Sequence, residues 1–382
     1  MSQLLTPSMV DEDRVVETLI TCCRIDSAPL KERAMFLWVK ERLERLGYTV
    51  EEDDAGVRLG GEVGNLIATK PGRDALRDAP AIMLLAHLDR VVGGIGVRPT
   101  VRDGSVYSDG TTILGADDAA GIAAILEACT VFAESGSPHP PIELVLTIGE
   151  EIGLVGAKEV DAGRLKARIG YVLDADGPVG TVITQAPTQY GLRAVFHGKA
   201  AHAGVAPERG VSAVKIAAAA VSMMPLGRID DETTANVGYI AGGGPTNIVP
   251  DHAEIRAEAR SLDREKAERQ IERMVAAAAE AAQRHGGAHE CEVSRPYEGF
   301  HLDADSAVVR RAFAAARGIG LTPETRKTGG GSDANIFNAK GIATAVLGVG
   351  YQSIHTYQEH MPIDQLVQLA RLVCAIKEVA EP

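Results

Sequence analysis

Apolar and polar positions along the chain fall into two textures. Residues 10–24 and 30–46 repeat apolar side chains at helical spacing, and the second stretch, LKERAMFLWVKERLERLG, stops at Gly47 as a helix C-cap does. NLIATK (65–70) reads as a strand. APAIMLLAHLD (79–89), PIELVLTIGEE (141–151) and IGYVLDAD (169–176) each hold a short unbroken apolar run, as a strand buried on both faces should. Between the first two lies SDGTTILGADDAAGIAAILEA (108–128), which ends as an apolar helix. Buried strands alternating with helices predict an α/β layered domain, a largely parallel mixed sheet flanked by helices.

The texture changes near residue 186. TQYGLRAVFHGKA (188–200) alternates more strictly, a helix follows over 210–224, and strands are expected near 235–241 and 251–260. A strongly amphipathic helix covers 263–285, before a strand near 290–296. The order strand-helix-strand-strand-helix-strand predicts a ferredoxin-like α+β unit. From about 299 the first texture returns: a helix (305–317), a Gly-rich turn TGGGSDANIFNAKG (328–341), a strand (342–350) and a closing helix (363–380). The expected architecture is one α/β domain, 1–186 and 298–382, interrupted by a smaller ferredoxin-like domain at 187–297.

A chain of 382 residues fits two domains, and 45% hydrophobic with 24% charged residues is an ordinary soluble composition. The net charge of −13 argues against a nucleic-acid partner. The N-terminal stretch has no basic region followed by a long apolar run, and no stretch of about 18 apolar residues occurs, so neither a signal peptide nor a membrane span is expected. Five cysteines, none in a CxxC pair, read as free thiols in a reducing compartment, and a cytoplasmic location is expected.

Candidate chemistry collects at the ends of the buried strands, where open α/β sheets place their sites. His87-Leu88-Asp89 follows the first strand, Asp117-Asp118 begins a helix, Glu150-Glu151 follows the second strand, and Asp174 closes the third. Period-2 alternation puts His87 and Asp89 on one side of their strand, an arrangement that suits a metal-bound imidazole held by a supporting carboxylate. Asp89, Asp117, Glu150, Glu151 and Asp174 would be five acids converging on one crevice, which repel unless divalent cations join them. A histidine ligand points to zinc or a similar transition metal rather than magnesium or calcium. A two-metal hydrolase also needs a carboxylate that bridges, one free to act as base, and a second histidine, for which His355 and His360 are the candidates. Each piece alone has a plainer reading: Asp-Asp as a helix cap, a strand-end histidine as structural, Glu-Glu as a solvated turn. It is their joint occurrence that points to a site.

These stretches resemble the peptidase T–like branch of the di-zinc metallopeptidases, whose relatives include glutamate carboxypeptidase, aminoacylase and the acetylornithine and succinyl-diaminopimelate deacylases. The resemblance runs nearly end to end, through AHLD (86–89), DGTTILGADDAAG (109–121), GEEIGLVGAK (149–158), YVLDADGPVG (171–180), GKAAHAGVAPERGVSA (198–213) and IHTYQEHMPI (354–363). It implies His87 and Asp174 as ligands of one zinc, Glu151 and His355 as ligands of the other, and Asp117 as the bridge. It implies Asp89 as the residue that orients His87, Glu150 as the general base toward a bridging water, and a cis peptide after Asp117. Cobalt or manganese would serve in place of zinc.

In the inserted domain the resemblance implies His202 as the group that polarises the scissile carbonyl, often across a dimer interface. Asn247 and Arg260 match positions that hold the substrate's backbone or carboxylate, although a strand-edge ion pair is an equal reading of Arg260. TGGGSDANIF, with Gly330, resembles the loop beside the substrate's end, where its glycines alternatively only shape a turn. Two positions depart from relatives: Ala119 replaces a common lysine, and Asp174 stands in place of Glu, which favours peptidase T–like or aminopeptidase members over carboxypeptidases. The expected activity is a metal-dependent exopeptidase on short peptides, an aminopeptidase of tripeptidase type, with a homodimer formed through the inserted domain. An N-acyl amino-acid deacylase, a non-catalytic metal- or peptide-binding homologue and a magnesium-dependent phosphotransfer-type protein remain the alternatives.

Overall fold

In a computed structural model that describes residues 6–379, the apolar runs form the middle of a mixed sheet. Seven of its nine strands lie in the order Thr49–Glu52, Leu66–Lys70, Ile142–Thr147, Ile82–His87, Ile169–Ala175, Ala343–Gly348 and Thr181–Ala186. The four from Ile142–Thr147 to Ala343–Gly348 are parallel, and the flanking pairs are antiparallel. Every residue of Ile82–His87 and Ile142–Thr147 is buried, which explains why neither stretch alternates. The helices Glu12–Arg24, Ala116–Ser135 and Ile363–Glu378 pack on one another, and Ala116–Ser135 also lies on the Ile82–His87 strand. No helix among the described residues is long and apolar enough to cross a membrane.

The parallel register positions the chemistry. His87 pairs with Thr147, and Leu85 with Val172, so carrying the second register on by two residues sets Asp174 alongside His87. The carboxyl ends of three strands thus deliver His87, the Gly149–Glu151 turn and Asp174 to one edge. A three-stranded sheet of His360–Pro362, Ser105–Tyr107 and Thr100–Arg102 gave no signal in the pattern, because Thr100–Arg102 is three residues long and wholly exposed.

The chain divides into two compact units. The larger runs to Thr184 and resumes over His301–Lys327 and from Ser332; the smaller is Gln185–Phe300 with Thr328–Gly331. The sequence reading places 328–331 in the larger part. In the structure the Thr328 N–H donates to the Gln185 carbonyl at 3.0 Å, and a Cβ on Gly331 would meet the Tyr297 ring at 2.3 Å, so these residues belong with the smaller unit. The sequence reading also takes the segment after Gly331 as a turn, whereas Asp333–Ala339 is a short helix opened by a capping box between Ser332 and Asn335.

Within the smaller unit the strands lie in the order Gly227–Arg228, Thr233–Gly242, His252–Ser261, Thr188–His197 and Ala288–Tyr297, all antiparallel. With the helices Ala213–Met223 and Arg264–His285 this is the ferredoxin-like succession expected from the sequence. The second helix starts where the Asp263 side chain accepts the Lys266 N–H and stops at Gly286, whose φ of +72° only glycine adopts freely. Phe196, Ile216, Ile255, Ile271 and Met274 fill the core, each contributing about 1.5–3 kcal/mol by leaving water.

Candidate metal centre

His87 closes its strand with the side chain 2% exposed. Its Nδ1 lies 2.9 Å from the Asp89 carbonyl and 3.5 Å from the Asp89 carboxylate. Nε2 points at Asp117 Oδ1, 3.1 Å away, and an Nδ1–H donating to the Asp89 carbonyl would leave the Nε2 electron pair for a bound cation. The Asp89 carboxylate has other partners: it accepts the N–H groups of Glu150 and Glu151 at 2.9 and 3.1 Å. Asp89 therefore touches both the histidine and the Glu-Glu turn, the first mainly through its backbone.

Asp117 and Asp118 precede the regular part of their helix with non-helical backbone angles, and the peptide bond between them is cis. The two carboxylates diverge. Asp118 accepts the Gly121 N–H at 3.0 Å, as a helix cap does, and the His87 N–H at 3.2 Å. Asp117 instead faces two histidines: Oδ1 meets His87 Nε2 and Oδ2 meets His355 Nε2, each at 3.1 Å. His355 Nε2 is also 3.2 Å from Glu151 Oε1, a buried oxygen that makes no hydrogen bond. His360 turns elsewhere and stacks on Tyr107 at 4.6 Å. Asp174 Oδ1 accepts a hydrogen bond from the Tyr351 hydroxyl at 3.2 Å.

The electrostatics are those of a cluster awaiting positive charge. Burial pushes the carboxyls of Glu150, Asp174 and Asp118 well above the ordinary range, and neighbouring anionic groups push further. Burial acts the same way on Asp117, yet the hydrogen bonds from His355 and His87 outweigh it and hold that carboxyl low. The contact with the Asp117 carboxylate first, and the Glu151 carboxylate next, raise His355 to about 10. Among the described residues no lysine or arginine pairs with Asp89, Asp117, Glu150, Glu151 or Asp174. Ligand atoms of His87, Asp117 and Glu151 all lie within 4.8 Å of one another. Two donors on one zinc ion stand no more than about 4 Å apart. Imidazole and carboxylate donors at 3.1–3.2 Å, with the orphaned Glu151 oxygen among them, therefore fit divalent-cation ligation.

Three residues around this cluster were not singled out from the sequence: Tyr351, Asp333 and Glu359. Asp333 is buried, accepts the Thr147 hydroxyl, and leaves Oδ1 without a partner. Glu359 accepts the N–H groups of Ala116 and His355.

The other candidates lie in the smaller unit. His202 is exposed, its Nδ1 accepts the Gly204 N–H at 3.2 Å, and a bridge to Ile248 brings it beside the exposed Asn247, whose carbonyl accepts the Ala203 N–H. Arg260 pairs with Glu258 through two hydrogen bonds of 2.9 and 3.0 Å, an ion pair on a strand flanked on both sides rather than at a sheet edge. The Gly330 N–H donates to the Thr328 hydroxyl at 3.1 Å, within a turn.

A family model described as peptidase family M20/M25/M40 matches residues 83–378, a span that contains every candidate named here. The chain belongs to this peptidase family. It is a metallopeptidase, a hydrolase of the peptidase T–like branch. Among solved structures it resembles a tripeptidase from Staphylococcus aureus, with 44% identity, a TM-score of 0.91, and 97% of this chain and 98% of that one covered. It also resembles aminopeptidase PepT from Bacillus cereus, with 46% identity, a TM-score of 0.86, and 97% and 99% covered. The protein YqjE of Bacillus subtilis is 48% identical over 97% of this chain and all of its own length.

This M20 peptidase should respond to metal removal in a pH-dependent way. In the metal-free chain burial lifts Glu32 and Glu359 to about 7 and Asp333 to about 6. A carboxyl with a higher pKa folded than unfolded holds its proton better in the folded chain. Its contribution to stability is complete below the unfolded value, about 4, and is lost as pH rises through the folded value. Chelator-treated protein should therefore lose thermal stability between about pH 4.5 and 7.5, and added divalent cation should restore it. A metal-free Tm that stays level across that window counts against this account.

Proposed function

We propose that this M20 peptidase is an aminopeptidase of tripeptidase type that cleaves short peptides with two divalent cations, zinc foremost, and Glu150 as proton carrier. The observation that carries the reading is the divergence of the Asp117 oxygens toward two different histidines, as a carboxylate serving two ions requires. His87 and Asp174 would hold one ion, Glu151 and His355 the other, and Asp117 both. When bound, such a pair lowers the pKa of a water and polarises a carbonyl.

The chain's own groups do the remaining work. The Asp89 carboxylate fixes the backbone on which Glu150 and Glu151 sit. Glu150, its pKa raised by burial first, takes a proton from the attacking water and passes it to the leaving amine, a transfer that works best when the carrier's pKa approaches the working pH. His202 would donate to the developing oxyanion, while Asn247, Arg260 and Gly330 would bind the substrate's backbone or carboxylate. A homodimer through the smaller unit supplies His202 in trans in this reading. The free cysteines, four of them buried, suit a cytoplasmic setting.

The names of the two structural relatives, a tripeptidase and an aminopeptidase, support the substrate class. The test is a digest of unblocked di-, tri- and tetrapeptides beside N-acetyl and N-succinyl amino acids, with products identified by mass. Release of free N-terminal residues from tripeptides is the expected result. Exclusive cleavage of the acylated amino acids would replace this reading with a deacylase, and metal uptake without turnover on any amide would replace it with a binding protein.

A further inference from the structure

Glu359 is a carboxylate 1% exposed that takes no part in the chemistry assigned above. Its Oε1 accepts the N–H of Ala116 at 2.5 Å and its Oε2 accepts the N–H of His355 at 3.1 Å. Ala116 is 243 residues away in sequence, so one side chain ties together the two segments that present Asp117 and His355.

The loop that carries His355 needs such a tie. Gln352 and His360 exchange backbone hydrogen bonds of 2.9 and 3.1 Å, closing the segment between them on itself. Within it His355 sits at φ +61°, a left-handed conformation unusual for a residue with a side chain, and its ring is 46% exposed. Apolar packing therefore does little to fix the ring. What fixes it is the backbone hydrogen bond to Glu359 on one side and the contacts to Asp117 and Glu151 on the other.

We propose that Glu359 is a positioning residue for the metal centre, holding the His355 loop against the Asp117 segment so that the second histidine is in place before an ion arrives. The inference rests on the two-ion reading above. A carboxylate is the group for this task because it has two acceptor oxygens and no donor. A glutamine has the same shape, but its amide would turn N–H groups toward one of the backbone donors.

The test is titration of the metal-free full-length protein with cobalt(II), followed by calorimetry and by the visible spectrum of bound cobalt. Wild type should take up two ions. Glu359→Gln should bind one with nearly unchanged affinity and the other about 10–100-fold more weakly, the usual cost of losing a support behind a ligand. His355→Ala should show the same split, and the double variant should bind no worse than His355→Ala alone. Glu359→Gln binding both ions as wild type does would overturn the inference, as would equal weakening of both. A Glu359→Gln chain that fails to fold, or a double variant weaker than His355→Ala, would make Glu359 a general structural strut and also overturn it. Wild type binding fewer than two ions would instead refute the two-ion reading.

Discussion

Glu150→Gln should lower kcat by about 10²–10⁴-fold, about 3–5 kcal/mol of transition-state stabilisation, while leaving metal content and KM near their wild-type values. The side chain makes no hydrogen bond or ion pair within the described residues, although its backbone N–H is anchored on Asp89 at 2.9 Å. Its place is fixed and its carboxylate is free. Burial raises its pKa most, and the charges of Asp333, Glu151 and Asp89 raise it further against the opposing His87. Glutamine keeps the volume and removes the ability to accept or release a proton. A loss confined to kcat is what removing an interaction made only in the transition state produces. Metal analysis beside the kinetics separates this from loss of an ion. Full turnover by the metal-loaded variant would show that another group moves the proton.

Much of the site was legible because strand ends are predictable places. An unbroken apolar run announces a buried parallel strand, and the first polar residues after it lie at the sheet's carboxyl edge. His87, Glu150, Glu151 and Asp174 were found this way, and the structure brings His87, Asp117, Glu151 and His355 into contact. Spacing alone did not choose between His355 and His360; the family resemblance pointed to His355. Both lie in one polar loop, and only the left-handed turn at His355 and the stacking of His360 on Tyr107 separate them. Glu359 stayed hidden because its role is to accept backbone N–H groups from a segment 243 residues distant, which leaves no periodic trace. Asp333 was masked by the glycines before it, which read as a turn although Ser332 and Asn335 form a capping box. The inserted unit was readable as a whole because its helices and strands are long and amphipathic, with ten-residue strands such as Thr188–His197 and a helix of 22 residues.

Asp117→Asn should abolish the binding of the ion pair and take activity to background, a larger effect than any loss of a supporting residue. The two oxygens of Asp117 each meet a different histidine at 3.1 Å, so the amide must present an N–H₂ group to one of them. It removes a carboxyl whose pKa the histidines hold low despite burial, one that stays anionic while Glu150 and Asp174 are pushed toward protonation. A dication bound there loses a charged ligand, and a second ion loses the same one. The fall in affinity should exceed the about 10–100-fold typical of a residue behind a ligand. Since ligand binding stabilises the folded chain by mass action, the rise in Tm on adding zinc or cobalt should vanish too. Asp118 makes the contrast. Its oxygens accept the Gly121 and His87 N–H groups, so Asp118→Ala should cost about 1–3 kcal/mol of stability with or without metal. Two adjacent aspartates would then separate cleanly in one pair of melting curves, one through the metal-dependent shift and the other through the baseline. An Asp117→Asn protein that keeps two ions and its metal-dependent Tm shift would mean that no single carboxylate joins the two histidines' sites.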